Sequence, residues 1–100
     1  MARYSARIEL HDAKSRDDDE TLHKAMWKAG FRRVVPSSDS KLYLLPTGSY
    51  ITTTEDNLDT SFKKARAAAD TTGKTYWIWF IQWDAGRFSL QEVEQDPDAP

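Results

Sequence analysis

Thr75-Tyr76-Trp77-Ile78-Trp79-Phe80-Ile81-Gln82-Trp83 is the stretch that decides the fold. It holds no glycine, proline or charge, and aromatic and β-branched residues dominate it, so it predicts a β-strand. Side chains alternate between the two faces of a strand. Tyr76, Ile78 and Phe80 therefore share one side, and Trp77, Trp79, Ile81 and Trp83 the other. A strand apolar on both faces needs cover on both. Three tryptophans present roughly 450–750 Å², at about 150–250 Å² each, which reaches the roughly 300–600 Å² of a typical monomer's largest apolar patch. Cover by the segment Phe88–Val93 or by a second copy of the sheet is the first expectation. A stacking platform for bases or another flat ligand is the second. An inverted register, with the tryptophans on the helix side, is the third.

Working outward, Gly73 ends a helix whose apolar stripe is Leu58, Phe62, Ala65 and Ala69, and Glu55–Asn57 precedes it. Ser49–Thr54 and Lys41–Leu45 read as strands separated by Pro46-Thr47-Gly48, a break that predicts a bulge or an edge position. Pro36–Ser40 is a turn and Phe31–Val35 a strand. Leu22, Ala25, Met26 and Ala29 form a helical stripe stopped by Gly30, and Asp17 with Glu20 reads as a capping box. Residues 3–11 alternate, with Tyr4, Ala6, Ile8 and Leu10 on one side. Asp84–Arg87 turns the chain after the tryptophan strand, and Phe88–Val93 allows a short fifth strand. The order is βαββαβ, so the expected class is α+β, a ferredoxin-like antiparallel sheet with two helices on one face. One domain over residues 1–94 and an acidic, disordered tail over 95–100 are expected.

Composition is that of a soluble globular chain, with 39% apolar and 30% charged residues. The absence of cysteine excludes disulfides and thiol chemistry, and is compatible with a cytoplasmic location. Met1–Leu10 does not read as a secretory signal, and no apolar run approaches a membrane-spanning length. Net charge is −2, but Glu92, Glu94, Asp96 and Asp98 lie in the last ten residues. Residues 1–90 thus carry fourteen basic against twelve acidic side chains, a net +2 that permits nucleic-acid binding without arguing for it.

Two histidines beside a carboxylate, His11, Asp12 and His23, are candidates for proton transfer at a phosphodiester, one imidazole taking a proton and the other giving one. The plainer reading makes His11 a solvated strand end and His23 a polar flank of the first helix. The acidic helix start Asp17–Glu20 matches no calcium or zinc spacing, so neither a metal nor any other cofactor is expected. Arg7 and one of Arg32 and Arg33 can share a face with a tryptophan, which suits RNA; solvated sheet arginines are the alternative.

Arg7-Ile8-Glu9-Leu10-His11-Asp12-Ala13 resembles the opening of a group of small bacterial and prophage proteins. Leu22-His23, Met26, Gly30-Phe31 with Arg33, Tyr43, Leu45-Pro46-Thr47, Tyr50, Ala67–Ala69 and Thr72-Gly73-Lys74 fit the same pattern. The group is classed with the endoribonuclease antitoxin of type V toxin–antitoxin systems (GhoS-like). The resemblance spans about residues 3–83, and Trp77, Trp79, Trp83 and the acidic tail depart from it. It implies a ferredoxin-like fold similar to the CRISPR adaptation nuclease, a homodimer, and RNA as target. His11 and His23 would then transfer protons, Asp12 would orient one of them, and Arg7 and Arg33 would contact phosphates. Against it stands the physical reading: a non-catalytic dimerising or partner-binding module that uses Trp77, Trp79 and Trp83.

Overall fold

The computed structural model describes residues 1–11 and 16–100. The elements run β1 (Ala2–Leu10), α1 (Arg16–Lys28), β2 (Val34–Pro36), β3 (Leu42–Leu44), β4 (Ser49–Thr54), α2 (Leu58–Asp70), β5 (Tyr76–Gln82) and β6 (Gln91–Val93). The class is α+β, as the pattern predicts. The strands form two antiparallel sheets of three, ordered β4-β1-β5 and β2-β3-β6. Among the described residues a single bridge links them, Arg32 and Ile51 exchanging both backbone N–H···O bonds at 2.8 Å.

Two local features divide the strands in this way. The expected Phe31–Val35 strand is reduced to Val34–Pro36 because its first residues finish α1 instead. Gly30 sits at φ 94°, its N–H bonds to Trp27 O, and the Phe31 N–H reaches back to Met26 O. This is a Schellman closure, and it turns Phe31 into the core. The Arg32 guanidinium completes the cap by donating to the carbonyls of Trp27 and Phe31 while lying 3.6 Å over the Trp27 ring. The second feature is Pro46-Thr47-Gly48. Instead of a bulge within one strand, it is a turn that hands the chain from the second sheet to the first. Gly48 lies at φ 86° and its carbonyl accepts from Ile8 N at 2.8 Å. A Cβ there would lie 2.7 Å from Ile8 O, so no other residue fits without a shift.

β1 is the central strand of its sheet, and its even-numbered residues build the core. Ala6 and Ile8 pack with Leu22 and Met26 of α1, with Ala65, Ala68 and Ala69 of α2, and with Phe31 and Tyr50. Tyr76, Ile78 and Phe80 of β5 complete that side, as the alternation predicts. Phe80 is its aromatic hub, with ring centroids of Tyr4, Phe31 and Phe62 at 5.7, 6.1 and 5.5 Å. The α2 stripe keeps Phe62, Ala65 and Ala69 of the expected one and adds the buried Ser61 and Ala68, whereas Leu58 is exposed. Small residues on that stripe let the helix approach the sheet closely. Asn57 caps α2 by accepting from Thr60 N at 2.8 Å. Asp17 lies inside α1, one residue past its first, so the capping-box reading shifts; the acidic first turn still complements the helix dipole.

Candidate functional site

The tryptophans lie on the open face of the β4-β1-β5 sheet, which rules out the inverted register. Trp77 and Trp79 are 69% and 66% exposed, and Ile81 is 43% exposed. Register sets Glu9 opposite Trp77, Arg7 opposite Trp79 and Ser5 opposite Ile81. The expected stripe of three does not continue to Trp83. That residue lies past the strand end, its N–H bonded to Arg3 O and its ring 4.3 Å beneath the Arg3 guanidinium. Arg3 also donates to the Asp84 carbonyl, which ties the turn after β5 back to β1.

The segment expected to cover the tryptophans goes elsewhere. β6 pairs with β3, Val93 opposite Leu42, and Phe88 rests on Tyr43 at 5.2 Å between centroids. Residues 84–90 therefore arch toward the second sheet. They enclose a groove of about 1010 Å³ with Arg3, Ile51, Ile81 and Trp83, and leave Trp77 and Trp79 outside it. The Trp83 indole N–H is shielded and has no partner among the described residues.

The two candidate histidines have different neighbours. His11 continues the β1–β5 ladder, its N–H bonded to Thr75 O at 2.8 Å, and its ring meets Trp77 edge-on at 4.8 Å. It is thus part of the tryptophan surface. His23 lies on α1 with Nδ1 2.6 Å from the Tyr50 hydroxyl. Tyr50 is wholly buried, and burial pushes its phenol pKa up, so the phenol keeps its proton. Burial and the Arg33 charge lower the His23 pKa and favour the neutral imidazole. With both groups neutral, the phenol donates to Nδ1 and the imidazole hydrogen sits on Nε2, an arrangement that leaves no buried donor unpaired. A small cavity of about 200 Å³ beside this pair is lined by Arg7, Glu9, Asp19, His23, Gly48 and Tyr50 among others. Asp12 lies outside the described residues.

Arg7 is exposed on the open face. Arg33 is gripped by the C-terminal segment: its Nε and Nη2 donate to Asp98 Oδ2 and Oδ1, both at 2.7 Å, with the two side chains mostly buried. The hydrogen bond to Asp98 raises the Arg33 pKa further. Asp96 supports the clamp by accepting from Asp98 N at 2.9 Å. Two functional neighbours went unread in the sequence. Tyr50 looks like one more inward strand position, although a buried tyrosine hydroxyl needs a polar partner and α1 carries a histidine beside its apolar stripe. Asp98 belongs to a stretch without periodicity, and nothing local marks its partner.

Among the described residues, no group of three or more histidine or acidic side chains could hold a metal ion. No helix there is long and apolar enough to cross a membrane. Set against protein-family models, curated proteins and solved structures, the chain matches none.

Proposed function

We propose that this chain is a non-catalytic, homodimerising module on a ferredoxin-like plan, with Trp77 and Trp79 at the centre of its interface. The exposure of these two indoles side by side on an uncharged strand carries the reading. At two-thirds exposure they offer about 200–330 Å² together, taking about 150–250 Å² for each. Each partner of a standard interface buries about 800 Å². The tryptophans are therefore the anchor of a larger contact and not the whole of it, in keeping with the concentration of binding energy in central aromatic residues. The Arg32–Ile51 bridge supports the ferredoxin-like plan. Across it, the order β5-β1-β4 extends to the chain segment entering β2, which gives the succession last, first, third, second.

Sedimentation of the pure chain at micromolar concentration tests the proposal. A dimer that Trp79→Ala dissociates, with the circular dichroism of the fold retained, is expected. A monomer throughout the concentration range refutes it.

A second reading, RNA binding of the antitoxin type, is favoured by one observation: Arg7 stands directly across from Trp79, both exposed. A guanidinium beside an indole suits a phosphate beside a stacked base. On that reading Trp79→Ala loses RNA retardation at low salt and leaves the oligomeric state unchanged. The endoribonuclease form of it requires His11→Ala to abolish cleavage.

A further inference from the structure

We infer that the partner surface is the free edge of β5 as well as its tryptophan face. Two copies of the chain would join edge to edge into one continuous sheet, ordered β4-β1-β5-β5-β1-β4, with the two Trp79 residues facing each other across a two-fold axis. This rests on the dimer reading above and specifies its geometry.

The backbone sets the first constraint. β1 and β5 pair antiparallel with Arg7 opposite Trp79. Trp83 N donates to Arg3 O and His11 N to Thr75 O, so the odd-numbered residues of β5 spend their N–H and C=O groups on β1. In an antiparallel ladder the intervening residues turn theirs the other way. Tyr76, Ile78, Phe80 and Gln82 therefore present a row of donors and acceptors outward. Among the described residues no strand pairs with that edge.

The sequence of this edge does not protect it. Exposed edges are usually blunted by lysine, proline, a bulge or shortness. β5 is Tyr-Trp-Ile-Trp-Phe-Ile-Gln, seven residues with none of these devices. The opposite edge of the sheet, β4, is at least bridged to Arg32.

The occupant follows from self-complementarity. A two-fold antiparallel pairing must match outward-facing residues with one another, so its centre falls on a residue of β5. Centred on Trp79, it pairs Tyr76 with the second copy's Gln82 and Ile78 with the second copy's Phe80, using the whole strand without overhang. On the open face it sets Trp77 against the second copy's Ile81, and Trp79 against its counterpart as a close, non-hydrogen-bonded pair, Cα atoms about 4.5 Å apart. Just beyond the strand ends it sets Lys74 against the second copy's Asp84. Among the described residues their side-chain ion pairs within the chain are long, Lys74 with Asp18 at 4.0 Å and Asp84 with Arg3 at 3.7 Å. Moving the centre to Ile78 or Phe80 leaves one end of the strand unpaired and separates these opposite charges. Backbone ladder bonds and both rows of side chains supply the contact that the two indoles alone are too small to give.

The experiment uses the unmodified chain. Amide hydrogen exchange of β5 is followed by NMR above and below the dissociation concentration fixed by sedimentation. Protection of Ile78 and Phe80 amides at least about tenfold greater in the dimer, with Trp77 and Trp79 amides protected at both concentrations, is the expected result. A dimer in which Ile78 and Phe80 exchange as fast as in the monomer overturns edge pairing and leaves the dimer proposal standing, with the sheet faces stacked. A chain that stays monomeric overturns both.

Discussion

His23 and Tyr50 show how one hydrogen bond fixes the ionisation of two residues. Their 2.6 Å contact lies against the core, and the imidazole is disfavoured as a cation by burial and by Arg33. In the unfolded chain His23 takes up a proton near its ordinary 6.5, whereas in the folded chain it does so only at lower pH. Its contribution to stability is therefore complete above about pH 6.5 and is lost as pH falls through the folded value. Urea midpoints of the wild type should decline over this range. His23→Gln, which cannot titrate, should flatten the decline while lowering stability at neutral pH through the altered contact with Tyr50. A slope unchanged by the substitution would assign the acid sensitivity to other groups. The sequence marks His23 by its chemistry, but its partner is 27 residues away on a strand, and only the fold brings them together.

At the scale of elements, the ends of structures were easier to read than the connections between them. Gly30 is a helix stop on sequence grounds, and the structure gives it the left-handed turn and the two reversed hydrogen bonds of a Schellman closure. Gly30→Ala should cost about 1 kcal/mol in thermal or urea unfolding, since a Cβ must then occupy positive φ. Packing adds little to that cost, because the nearest atom to a Cβ there is the Thr52 hydroxyl oxygen at 3.9 Å. The alternation of β5 assigns Tyr76, Ile78 and Phe80 to the helix side, where they pack, although the strand ends before Trp83. Of the expected α2 stripe, Ala65 and Ala69 are buried and Phe62 packs on Phe80, whereas Leu58, in the first turn, is exposed and Ser61 and Ala68 join the buried side unread. β2 was overextended because Phe31 and Arg32 have strand-like character, and the cap of the preceding helix takes them first.

Over the whole molecule, what the sequence could not convey is which distant segments meet. The division into two sheets depends on a turn at Pro46–Gly48 and on β6 joining β3, and neither pairing leaves a local trace. The C-terminal segment belongs to the same class. The bidentate Arg33–Asp98 pair holds residue 98 against the entry to β2. Asp98→Ala should lower stability by about 1 kcal/mol, more at low than at high salt, because a partly screened ion pair is the contact removed. Melting temperatures at two ionic strengths provide the check; an unchanged melting temperature would make the pair incidental to the fold.

The central position of β1 has a consequence for how the chain is born. Its two neighbours begin at Ser49 and Tyr76, and its Tyr4 is matched with Gln82. As synthesis proceeds from the N-terminus, the first strand emerges long before either flank exists. Both of its pairings close loops of dozens of residues, a topology that folds slowly. A nascent chain stopped short of Tyr76 would hold β1 with one side bare, an invitation to misassembly that the arrival of β5 removes.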